Sequence, residues 1–209
     1  MSASPLWLRR AVLVGVALAL VVLTATASNG GATGSRVLVI GDSILHLSQP
    51  DLTAALSAEG WQPVVDGRPG LSIETFEPIV ASDAAIARPD VAVVELGTND
   101  CDTTCDNLGP AIDTVMDQLV SHGARAVYWL NVQTAPTRLL PGPPRVYPAH
   151  ADYVNYAIEQ AAVRWPQMQV VDFRDLFDQH PEWHLADGLH PNAIGQQELA
   201  TLIAATIHR

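Results

Sequence analysis

No lysine occurs in this 209-residue sequence, and its only strong bases are eleven arginines against twenty-two aspartates and glutamates. Two of those arginines, Arg9 and Arg10, lie in the first 27 residues, which hold no carboxylate. From residue 28 onward, nine arginines face all twenty-two acids, a net charge near −13. Such a surface argues against nucleic acid and anionic membranes as partners, since both are gripped by clustered cations. Cysteine is scarcer still, with only Cys101 and Cys105. No second cysteine pair is available to complete a zinc site, and nothing in the sequence calls for a metal or a cofactor. In an exported chain a close Cys pair reads as a disulfide.

Long apolar runs are also rare. The one unbroken run, Ala11 to Leu23, follows Arg9-Arg10 and leads into Ala25-Thr26-Ala27. A basic start, a short apolar stretch and a small-x-small site describe a secretory signal peptide. The run of thirteen residues falls short of the roughly 20 that span a bilayer, and the milder residues up to Ala27 leave an uncleaved anchor open. The expected organisation is a leader over 1–27, a linker over 28–35 and a catalytic domain over 36–209. The product is expected to be secreted, or anchored through that leader.

Beyond the linker, apolar runs alternate with helical periodicity. Strands are expected at Arg36–Ile40, Pro63–Val65, Val91–Leu96, Ala124–Leu130 and Met168–Phe173. They are Val-rich and often lack strict alternation, as parallel strands buried on both faces do. Ile112, Val115, Met116, Leu119 and Val120 mark a helix that Gly123 stops. Val154, Ile158, Ala161 and Trp165 mark another, and Leu199, Leu202, Ile203 and Ile207 a third. A shorter helix is expected over 51–59, and one over 72–87 whose start Pro78 obscures. Repetition of strand and helix predicts an α/β/α sandwich with a five-stranded parallel sheet. The one long irregular stretch, Gln133 to Pro148, holds five prolines; it is either a wall of the substrate cleft or a rigid surface excursion.

Three polar motifs punctuate this frame. Gly41-Asp42-Ser43-Ile44 follows the first strand, so a serine hydroxyl stands at a strand's carboxyl end, where open α/β sheets bind ligands. A serine is a poor nucleophile until a base takes its proton. Asp187-Gly188-Leu189-His190-Pro191 supplies one: His190 as base, with Asp187 to fix its tautomer and stabilise the imidazolium. Gly188 eases the turn, and Pro191 is expected to open the last helix. Gly97-Thr98-Asn99-Asp100 follows the third strand and offers the Asn99 amide to a developing oxyanion, beside the Ser43 N–H. Gly70, in Gly67-Arg68-Pro69-Gly70, can bring a further N–H close, with Gly67 as the alternative. Asp100 is read as structural.

These blocks, in this order and across nearly the whole domain, resemble the SGNH or GDSL-type hydrolases, with Ile44 where leucine is usual. The resemblance implies a flavodoxin-like three-layer fold, Ser43 as nucleophile, His190 as base and Asp187 as its orienter. It implies an oxyanion hole of the Ser43 N–H, a glycine N–H and Asn99.

Other readings compete for particular residues. His184 is close enough to Asp187 for an alternative triad. His46, His122, His150, His180 and His208 show no metal spacing. Trp129, Trp165 and Trp183 read as packing more than as a sugar platform. The leading function is an exported serine esterase acting through an acyl-enzyme, on an ester carried by an acylated glycan or lipid, with no obligate protein partner. A domain without an inserted lid favours short acyl groups, acetyl above all. The alternatives are a lipase, lysophospholipase or thioesterase, an O-acyltransferase, and a non-catalytic carbohydrate-binding module on the same fold. No membrane acyl-donor module accompanies the domain, which favours hydrolysis over transfer. A flavin or receiver protein would share the architecture, but no phosphate loop follows the first strand.

Overall fold

A computed structural model describes residues 34–100, 105–134 and 148–208. Strands β1 (Arg36–Gly41), β2 (Gln62–Gly67), β3 (Val91–Glu95), β4 (Ala126–Leu130) and β5 (Met168–Val171) form one sheet in the order β2-β1-β3-β4-β5. Every pairing is parallel. Val37 to Ile40 and all of β3 are buried, which is why their sequences run apolar without alternation. The helices are α1 (Ser43–Ala58), α2 (Ile73–Ala87), α3 (Leu108–Ser121), α4 (Pro148–Arg164), α5 (Phe173–Asp178) and α6 (Ala193–Thr206). Helices α1 and α6 pack together, while α2 meets α3 and α3 meets α4. This is the expected three-layer sandwich, and its strand order is the flavodoxin-like one. The order reverses between β1 and β3, so the loops after those two strands flank the natural ligand crevice.

Several boundaries differ from the sequence expectation, each for a local reason. Helix α1 starts at Ser43 rather than at residue 51. Asp42 caps it by accepting the Ile44 N–H at 2.9 Å, and Ile44, Leu45, Ser48, Leu52 and Leu56 form a buried stripe. Burial of that stripe outweighs the lost rung at the exposed Pro50. Helix α2 starts at Ile73 behind a Ser72–Thr75 capping box, with Pro78 inside it. Strand β5 stops at Val171, short of Phe173, because Asp172 caps α5 and accepts the Asp175 N–H. Phe173 and Phe177 then turn inward as a ring pair 4.3 Å apart. Pro191 does not open α6. It pairs with His184 in an antiparallel bridge, and Asn192 caps the helix through the Ile194 and Gly195 N–H groups.

The leader and most of the linker, residues 1–33, lie outside the described residues, as do Cys101 and residues 135–147 of the proline-rich stretch. Among the described residues, no helix is long and apolar enough to cross a membrane.

Candidate active site

Serine 43 is the first residue of α1, placed at the sheet's carboxyl edge by the buried strand β1. Its Oγ lies 2.9 Å from His190 Nε2, across 147 residues of chain. On the other side of the ring, His190 Nδ1 lies 2.7 Å from Asp187 Oδ2. A carboxylate only accepts, so Nδ1 carries the proton and Nε2 is free to accept from the serine hydroxyl. Asp187 also fixes the turn that carries both residues, since its Oδ1 accepts the Leu189 and His190 N–H groups, each at 3.0 Å. Gly188 takes a φ of +70° there, a conformation that suits glycine. Burial works to raise the Asp187 carboxyl, but the His190 bond and the two backbone donors outweigh it and leave it below the ordinary range.

The geometry also separates the two glycines. A Cβ on Gly67 would stand 2.4 Å from the His46 backbone nitrogen, so Gly67 is pressed against α1. Gly70 has a φ of +78° and open space where a Cβ would point. Among the described residues, neither the Ser43 N–H nor the Gly70 N–H has a hydrogen-bond partner. The first is an orphan donor of a helix's opening turn. Asn99, after β3, donates its amide to Asp42 Oδ2 at 2.9 Å and to the Leu71 carbonyl at 3.2 Å. It thereby spans from the serine turn to the Gly70 segment. Asp100 accepts the Ile73 N–H and ties this loop to the start of α2.

Other residues read from the sequence fall elsewhere. His184 is buried and bonds Gln133 Oε1 through Nε2 at 2.9 Å. Burial holds its imidazole below the ordinary range, and its bond to Gln133 places it in support of the turn, away from Ser43. Gln133 completes that support by donating to the Leu189 carbonyl at 2.7 Å. Trp129 is core, its indole donating to Leu96 O. Trp165 donates to Asp113, and one face of Trp183 is covered by the His180 ring at 3.8 Å. His46 bonds the Gly67 carbonyl, and His122 the Gln118 carbonyl. Among the described residues, no cluster of His, Cys, Asp or Glu could hold a metal ion.

Sequence reasoning missed Glu95. It is buried at the end of β3, its Oε2 accepting the Asp42 and Leu45 N–H groups, both at 3.2 Å. Gly41 stands opposite Glu95 in the sheet register. A Cβ on Gly41 would fall 2.8 Å from Glu95 Oε2. The available signal was one acid closing an otherwise apolar strand.

Comparison with known proteins gives concordant results. The family model for the GDSL-like lipase/acylhydrolase family matches residues 39–198. O-acetyltransferase OatA of Staphylococcus aureus is 27% identical over 175 residues, covering 83% of this chain and 25% of that protein. The chain thus spans about a quarter of the length of this curated relative. Among solved structures, the lipase/acylhydrolase from Enterococcus faecalis superposes with a TM-score of 0.67 at 19% identity, covering 82% of this chain and 94% of that one. The acetyl xylan esterase AlAXEase gives 0.67 at 18%, with 82% and 100% covered.

Proposed function

We propose, from the premise that the chain belongs to the GDSL-like lipase/acylhydrolase family, that it is an exported serine esterase removing short acyl groups, acetyl first, from glycans. The observation that carries this reading is the relay Ser43 Oγ to His190 Nε2 at 2.9 Å and His190 Nδ1 to Asp187 Oδ2 at 2.7 Å. In this mechanism His190 takes the Ser43 proton as Oγ attacks the ester carbonyl, and the imidazolium is held by Asp187. The Ser43 and Gly70 N–H groups and the Asn99 amide receive the oxyanion. His190 then passes its proton to the leaving alcohol, and the acyl group stays on Ser43. Water, deprotonated by His190, attacks the acyl carbonyl; the bond to Ser43 Oγ then breaks as His190 returns the proton to it, and the same hole serves a second time.

The acetyl preference is supported by the names of two similar proteins, an O-acetyltransferase and an acetyl xylan esterase, both concerned with acetyl groups. The basic, apolar leader supports export. The likeness to OatA favours a second reading, in which a sugar hydroxyl replaces water in the last step.

One experiment separates these. Purified residues 28–209 are offered a series of p-nitrophenyl esters, then an acetylated glycan with and without an acceptor sugar. The proposal expects kcat/KM to be highest at acetate or butyrate, with free acetate released from the glycan whether or not acceptor is present. Acetate appearing on the acceptor in preference to solvent would establish the transferase reading. A maximum at octanoate or beyond would point to a lipase. Ser43→Ala should abolish turnover while the fold, read by circular dichroism, is kept; full activity in that variant would refute the mechanism.

A further inference from the structure

Glu95 is 3% exposed at the end of a strand whose other four residues are apolar. An ionised carboxylate there would be costly, and the catalytic steps above give it no role. Its Oε2 lies 3.2 Å from the backbone nitrogen of Asp42, whose own carboxyl is fully buried, so two acids share one dry turn. Two carboxyl groups can bond only through a proton, because ionised carboxylates are acceptors alone. The surroundings decide which group keeps it. Asp42 already accepts the Ile44 N–H through Oδ1 and the Asn99 amide through Oδ2, both contacts that suit an anion. Glu95 accepts its two N–H groups through Oε2 alone and leaves Oε1 to carry the proton, and burial with the neighbouring Asp42 charge pushes its carboxyl well above the ordinary range. Glu95 is therefore the donor and Asp42 the anion near neutrality.

We propose that Glu95 is a positioning residue of the oxyanion hole: its protonated carboxyl donates to Asp42, and Asp42, so held, aims the Asn99 amide. This rests on the esterase reading above. The same carboxyl accepts the Asp42 and Leu45 N–H groups, so it also fixes the first turn of α1, where Ser43 stands. Glu95 thus ties the nucleophile's turn to the Asn99 loop without touching the substrate. Gly41 leaves the room it occupies, with 2.8 Å between the carboxyl oxygen and the place of a Cβ.

The test begins with fluorophosphonate labelling of the wild-type protein at Ser43. Absence of labelling would overturn the esterase reading itself, whatever Glu95 does. With labelling established, Glu95→Gln and Glu95→Leu are compared. Glutamine keeps one acceptor oxygen and one neutral donor, whereas leucine keeps neither. Outright loss of a hole donor lowers kcat by about 10²–10³-fold, so a misaimed Asn99 in Glu95→Leu should lower it by about 10–100-fold with KM little changed. Glu95→Gln should restore kcat to within about threefold of wild type, since its amide can make the same donor and acceptor contacts. Infrared spectra at a pH of about 8, above the ordinary carboxylate range, should show a protonated-carboxyl C=O band in wild type that Glu95→Gln lacks. If Glu95→Leu does not fold, the glutamine kinetics and the infrared band decide alone. A glutamine variant as impaired as one with a hole donor removed, or no such band lost on substitution, would overturn the proposal.

Discussion

Adding a single methyl at Gly41 should damage both stability and turnover, and the structure shows by how much. A Cβ there would stand 2.6 Å from Leu45 Cβ, 2.8 Å from the Glu95 carbonyl oxygen and 2.8 Å from Glu95 Oε2. Ordinary contact begins near 3.4 Å, so three neighbours must each retreat by more than half an ångström. Two of them cannot swing aside. The Glu95 carbonyl belongs to β3 and accepts the Asp42 N–H, and Leu45 Cβ is fixed by the first turn of α1. Overpacking of this kind costs about 1–3 kcal/mol. If the Glu95 carboxyl yields instead, the N–H groups of Asp42 and Leu45 lose an acceptor, at a net cost of about 1 kcal/mol each. By either route the cost is about 1–3 kcal/mol, a fall in Tm of roughly 2–12 °C for a domain of this size. Displacement of Ser43 by about 1 Å would lower kcat by about 100-fold. Differential scanning fluorimetry and p-nitrophenyl acetate turnover of Gly41→Ala measure both quantities. A Tm within about 1 °C of wild type, with kcat unchanged, would refute the packing account of this turn, because overpacking at a rigid site has a cost well above that.

On the proposed mechanism Asn99→Ala should lower kcat by about 10²–10³-fold with KM nearly constant, since a hole donor acts on the developing oxyanion; an unchanged kcat removes it from the hole. Stability should rise as pH falls from 7. Asp42 and Asp83 are both raised from 3.8 to about 6, chiefly by burial, so the folded state binds protons that the unfolded chain does not. Their stabilising protonation is complete at low pH and is lost as pH rises through about 6. Asp187 and Asp90 are shifted downward and act in the opposite sense only below the ordinary carboxylate range. His184, also lowered by burial, opposes the gain nearer neutrality, as one group against the raised Asp42, Asp83 and Glu95. A Tm that drops steadily between a pH of about 7 and about 5 would contradict this balance. We also propose a Cys101–Cys105 disulfide in exported protein. Reducing so short a loop should shift Tm little, because it restrains little chain entropy, while turnover falls as the loop bearing Asn99 loosens. Two free thiols in non-reduced material would end that proposal.

The strands were legible because burial on both faces leaves a direct mark: runs such as Val37–Ile40 and Val91–Val94 tolerate no polar residue. The elements that carry Ser43, Asn99 and His190 were legible as polar motifs breaking off from such runs. Less legible was anything set by competition between local and tertiary terms. The sequence pattern suggested a helix only over 51–59, yet the buried stripe from Ile44 to Leu56 carries α1 back to Ser43. Asp172 looked like a strand residue until its capping bond to α5 was seen. The Asp42–Glu95 contact could not be read at all, because it depends on a sheet register that sets Gly41 beside Glu95 across 54 positions of sequence. Likewise, the Asn99 amide nitrogen rests within hydrogen-bond distance of Asp42 and, more loosely, of the Leu71 carbonyl, whose place an oxyanion can take; no spacing rule could have revealed those partners.

The contact between Ser43 and His190 closes over 147 residues, and the turn bearing His190 leads straight into α6, which lies against α1. A ribosome releases the serine early and the histidine late. Through nearly all of synthesis the growing polypeptide has the proposed nucleophile but not the proposed base. On the relay proposed above, hydrolytic competence therefore switches on only once the late His190 turn has closed on the early Ser43 turn.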